Sequence, residues 1–119
     1  METFDVTRLY TDEKGDSRFE TIRYPLTDAG PIGYLSERYP VREIIFRKVP
    51  AGYDYTFHNA PQRQFIVMLD IGVEIETSTG EKRQFQPGEI ILVEDTTGKG
   101  HRTRNLAPQV RSSLFITVA

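Results

Sequence analysis

Apolar and polar residues alternate with a period of two over most of this chain, in short segments closed by Gly, Pro, Asn or Asp, which is the pattern of half-buried β-strands. Val73, Ile75 and Thr77, for example, alternate with Glu74 and Glu76, giving one dry face and one wet face. The same pattern predicts strands at Phe4 to Tyr10, Arg18 to Tyr24, Arg42 to Val49, Asp54 to His58, Gln62 to Leu69, Val73 to Ser78, Lys82 to Phe85, Ile90 to Glu94, His101 to Leu106 and Val110 to Val118. Phe65 to Leu69 and Ile90 to Val93 are apolar at every position, so both of their faces should be covered and both strands should lie centrally. Asp12-Glu13-Lys14-Gly15-Asp16 predicts an N-terminal hairpin turn, and Ser78-Thr79-Gly80-Glu81 and Gln86-Pro87-Gly88-Glu89 supply turns further on. Between Pro25 and Pro40, prolines and glycines break both helix and ladder, which predicts a loop with at most one short helical turn. The expectation is one all-β domain over 1–119, with a hairpin and loop in 1–40 and an antiparallel sandwich or barrel in 41–119.

Composition narrows the function classes. A length of 119 residues suits one domain, and six tyrosines with seven phenylalanines supply enough apolar surface for a core. The chain has no cysteine, which removes disulfides, thiolate nucleophiles and iron–sulfur clusters and restricts any metal to nitrogen and oxygen ligands. A formal net charge of -2 gives no general attraction to phosphate backbones, so nucleic acid is not an expected partner. The longest apolar run, Phe65 to Leu69, is far short of the roughly 20 residues of a membrane helix. The first residues carry acids where a signal peptide carries bases, and a cytoplasmic protein is expected.

Polar chemistry centres on the two histidines, His58 and His101. Alternation puts Asp54, Thr56 and His58 on one face and Tyr53, Tyr55 and Phe57 on the other. In the next strand Gln62, Gln64, Ile66 and Met68 share a face opposite Arg63, Phe65, Val67 and Leu69, so a turn at Asn59-Ala60-Pro61 would let His58 and Gln64 converge. His101, Thr103 and Asn105 share a face as well. Gly98 and Gly100 bracket Lys99, and their backbone N–H groups suit an anion. Nucleotide-binding, serine-hydrolase and zinc-protease signatures are absent.

The stretch from Val41 to Val118 resembles the small single-domain cupins, through two spaced motifs. In the first, Gly52 and His58 stand at the family's glycine and histidine, Ala60 takes the place of the second histidine, Gln64 or Phe65 that of the glutamate, and Gly72 that of the closing glycine. In the second, Gly88 opens and His101 with Asn105 closes. Glu94 replaces the proline, and Asp95 to Gly100 makes the interval two residues longer. Runs similar to Asp95-Thr96-Thr97-Gly98-Lys99-Gly100-His101 occur in bacterial cupins of unassigned function. The resemblance implies an antiparallel jelly-roll β-barrel and a divalent metal (Zn, Ni, Fe or Mn) held weakly by His58, His101 and Gln64, with Glu94 or Asp95 as substitute carboxylates. It further implies a small polar or anionic ligand met by Arg63, Asp95, Lys99 and Asn105, oxygenase-like or isomerase-like activity, and a homodimer. The alternative from another class is a metal-free ligand-binding or assembly module that uses the same residues for hydrogen bonding.

Overall fold

The computed structural model describes residues 2–119. Its strands are β1 (Thr3–Thr11), β2 (Ser17–Pro25), β3 (Thr27–Asp28), β4 (Tyr34–Leu35), β5 (Ile44–Val49), β6 (Asp54–His58), β7 (Gln64–Met68), β8 (Val73–Thr77), β9 (Lys82–Phe85), β10 (Ile90–Val93), β11 (His101–Asn105) and β12 (Arg111–Thr117). They form a six-stranded sheet in the order β2-β1-β10-β7-β12-β5, a four-stranded sheet in the order β6-β11-β8-β9, and the small pair β3-β4. The protein is all-β, as the alternation predicts, but its sheets do not close into a barrel. The central places expected for the two fully apolar segments are found: β7 lies between β10 and β12, and β10 between β1 and β7.

The Pro25 to Pro40 region is mostly irregular, with β3 and β4 flanking a single turn of 3-10 helix at Gly30–Ile32. Tyr39, just before its end, packs edge-on against Phe65 of β7 at 4.9 Å between ring centroids, so part of the segment shields the outer face of the six-stranded sheet. The N-terminal hairpin differs from an appended extension. β1 pairs in parallel with β10, Thr7 opposite Ile91 and Leu9 opposite Val93, so β1 and β2 continue the main sheet. An unpaired β10 edge would leave a row of backbone donors and acceptors open, and β1 fills it.

The core lies between the sheets, where Leu9, Met68, Ile91 and Val93 from one meet Val73, Ile75 and Phe85 from the other, each at most 3% exposed. β5 and β6 are the outermost strands of their sheets on the same side of the molecule, and the interior is less completely filled toward them. No helix among the described residues is long and apolar enough to cross a membrane.

Candidate functional site

A cavity of about 260 Å³ lies between the sheets. Ile66, Val73, Ile75 and Val93 make its apolar walls, and Tyr53, Tyr55 and Phe115 add aromatic surface. Two polar regions interrupt this lining.

The first region is built by the loop between β10 and β11. Gly98 and Gly100 have φ of +85° and +79°, a backbone conformation that favours glycine. At Gly100 a Cβ would collide with the backbone carbonyl of His58, so only glycine lets the loop pass that close to β6. The Lys99 N–H donates to the Gly15 carbonyl at 2.8 Å, and the Ala60 N–H donates to the Asp95 carbonyl at 3.1 Å. Anchored on both sides, the loop delivers His101 opposite His58 in the β6–β11 ladder, and the two rings lie 4.6 Å apart.

Behind His101 sits Asp95, with no measurable exposure. Its Oδ2 accepts from His101 Nδ1 at 2.5 Å and from the Ser17 hydroxyl at 2.7 Å. His58 Nδ1 donates to the Thr56 carbonyl at 2.7 Å. A carbonyl and a carboxylate only accept, so both Nδ1 atoms carry a proton, and in a neutral imidazole that leaves the Nε2 lone pair as an acceptor. Beside them Gln64, 2% exposed, has an Oε1 without a hydrogen-bond partner. This end of the cavity therefore offers acceptors, with the Gln64 amide N–H groups beside them.

Burial holds the His58 pKa below its ordinary value of 6.5. The Thr56 bond opposes this, and the neighbouring His101 adds to it. A lowered pKa in the folded state means that the unfolded chain takes up its proton first. The His58 contribution to stability is therefore complete above about pH 6.5 and is lost as the pH falls toward the folded-state value. Urea denaturation at about pH 7.5 and about pH 5 is expected to show a smaller loss of stability for His58→Gln than for the wild type. An equal loss in both would contradict the assignment.

The second polar region was not foreseen from alternation. Arg111, at the start of β12, is 1% exposed and lines the cavity. Its Nε donates to Asn105 Oδ1 at 2.8 Å, while Nη2 has no partner and no carboxylate among the described residues lies within ion-pair distance. Burial first, and then the positive charge of Arg47, bring its pKa down to about 10. Arg47 lines the same region, donating to the Tyr53 hydroxyl at 3.1 Å, its guanidinium over the ring of Phe115. The available signal was phase: Arg111 shares its parity with Ser113 and Thr117, which are also buried.

The expected site residues divide into three groups. His58, Gln64 and His101 converge on the cavity. Asp95 and Asn105 stand behind it, orienting His101 and Arg111. Arg63 and Lys99 do not line it. Because Gln64 and Val93 face inward, Arg63 and Glu94 face outward, where Arg63 Nε meets Glu94 Oε2 at 2.6 Å and Arg8 joins the same carboxylate. Burial alone would raise the Glu94 pKa, but these two guanidiniums outweigh it and hold it low. Lys99 projects to the β1–β2 turn, where its Nζ lies 3.1 Å from Asp16. The expected separation of Tyr55 from His58 also fails. The β6–β11 register shifts so that Tyr55 to His58 span the partner interval Thr103 to His101, and this bulge stacks the Tyr55 ring on His58 at 3.9 Å.

The residues fit a resident divalent metal poorly. No group of three or more His, Asp or Glu among the described residues is placed to hold an ion. Two imidazoles and an amide bring no negative charge, Asp95 stands behind His101 and does not line the cavity, and two guanidiniums share it.

Comparison with protein-family models returns no match, and comparison with curated proteins likewise returns none. Function is therefore read from the cavity itself.

Proposed function

We propose that the cavity between the sheets binds a small polar or anionic molecule, without a resident metal, in a cupin-like jelly-roll framework. The observation that carries this reading is the convergence of Gln64 Oε1, buried without a partner, with the His58 and His101 rings, each held through Nδ1, at one end of the cavity. An acceptor left unpaired in such a place costs about 1–3 kcal/mol, and a ligand donor relieves it. Melting curves over a panel of small carboxylates, alcohols and amides are expected to find a class that stabilises the wild type but not His58→Ala. If the panel yields no His58-dependent stabiliser, or if only Zn, Ni, Fe or Mn ions qualify, the reading fails.

A second reading, in which the bound molecule is turned over by proton transfer, is favoured by the buried Asp95–His101 pair. The pair orients the His101 ring with Nδ1 on the carboxylate and Nε2 turned away from it, the edge a substrate proton would meet. A cytoplasmic setting accords with the cysteine-free chain. We also propose a homodimer formed through β5, whose outer edge is unpaired and whose Ile44, Ile45 and Phe46 are 52%, 41% and 79% exposed. Sedimentation equilibrium is expected to give twice the 13.7 kDa chain mass, and Phe46→Lys to halve it. A wild-type monomer at micromolar concentration would contradict the dimer.

A further inference from the structure

The two polar regions of the cavity are complementary to opposite ends of one molecule, and we propose that the ligand is a small hydroxy- or aminocarboxylate. Its carboxylate sits on Arg111 and Arg47, and its hydroxyl or amino group donates to the His58–His101–Gln64 wall. This deepens the binding reading above and rests on it.

Arg111 is the stronger half of the case. A guanidinium that is 1% exposed and has an unpaired Nη2 is an uncompensated buried charge, which proteins otherwise pair or avoid. Arg47 beside it deepens the deficit, since it brings a second positive charge and its hydrogen bond goes to a neutral phenol. Asn105 holds Nε of Arg111 and the Met68 sulfur accepts from Nη1 at 3.8 Å, leaving Nη2 for an anionic oxygen such as that of a carboxylate. At the other end the chemistry inverts, because the buried unpartnered atom there is Gln64 Oε1, which calls for a donor.

The fold also sets the two ends apart. His101 opens β11 and Asn105, which positions Arg111, closes it. Four residues of extended strand separate their Cα atoms by about 13 Å. The wall residues between them, among them Ile75, Ile66 and Tyr53, suit an apolar or aromatic linker. A dicarboxylate would set a second anion against bare acceptors, and a diamine would set a cation against Arg111. The pattern selects a molecule that is acidic at one end and a donor at the other.

The test uses the full chain and calorimetry with para-hydroxybenzoate and with ω-hydroxy- and ω-aminocarboxylates of graded length, each against its primary amide and against its O-methyl ether or N,N,N-trimethylammonium form, which lack the donor. Wild type is expected to bind at least one free acid about 10- to 100-fold more tightly than its amide, and to lose affinity again when the donor is methylated. Arg111→Met is expected to bind acid and amide alike, and Arg47→Met, at a half-buried position, to narrow the ratio in the same direction. Unchanged melting of these variants without ligand, checked in parallel, separates this from misfolding; if Arg111→Met fails to fold, Arg47→Met carries the comparison. Wild type binding amides as tightly as acids, with both dependent on His58, would overturn the carboxylate assignment and leave the cavity reading standing. No binding by any member would overturn both.

Discussion

Asp95→Ala is expected to lower stability by about 3 kcal/mol, a fall in Tm of roughly 10 °C for a domain of this size. The loss comes from its partners. Removing the carboxylate orphans the Ser17 hydroxyl and the His101 Nδ1–H, both buried, and each such group costs about 1–3 kcal/mol. The deletion also recovers something, because Asp95 Oδ1 is itself buried without a partner, and that recovery holds the net effect below the sum. Against a total of about 5–15 kcal/mol, the variant folds but with little margin. Asp95→Asn keeps one acceptor oxygen and is expected to lose about half as much. Urea denaturation of the three proteins checks the order, and equal stability of wild type and Asp95→Ala would show that the buried pair contributes nothing.

Gly100→Ala is expected to be worse than an ordinary glycine substitution, by about 2 kcal/mol or more. Any alanine at positive φ costs on the order of 1 kcal/mol, and Gly80, at φ +87° with open space where its Cβ would go, measures that cost alone. At Gly100 the added methyl meets the backbone carbonyl of His58, which cannot rotate away as a side chain would, so β6 and the loop must separate. Gly80→Ala should therefore cost about 1 kcal/mol and leave the histidines in place. Gly100→Ala should cost about 3 kcal/mol or more and abolish His58-dependent binding. Similar losses for the two variants would mean that the loop does not hold the histidines together by close approach.

Much of the fold is local and therefore legible in the sequence. The Glu74 and Glu76 alternation marks β8 as half-buried, and the unbroken apolar runs mark β7 and β10 as interior strands. The parallel pairing of β1 with β10 is not local, and alternation does not reveal it, since it says which face is buried but not which edge is filled. The histidine pair was legible through spacing, and Gln64 through parity with Ile66 and Met68. The Tyr55–His58 stack was not, because a bulge changes the parity that the prediction depends on. Arg63 and Lys99 are expected at the ligand, yet each has a carboxylate partner outside the cavity, which spacing does not reveal. Arg111 is inside by phase, but an arginine is so rarely buried that its residue type points to the surface.

The most direct test uses the fact that the chain has two histidines. Long-range proton–nitrogen correlation spectra of the imidazoles, recorded above pH 7 while the strongest stabiliser from the melting panel is titrated in, report both rings at once. Both rings should begin as the Nδ1–H tautomer with bare Nε2 atoms. Both Nε2 signals should then shift along one binding curve with a single Kd, because one molecule contacts both. Shifts confined to one ring, two different binding curves, or an Nε2–H tautomer on either ring before ligand is added would contradict a shared site at the end of the cavity.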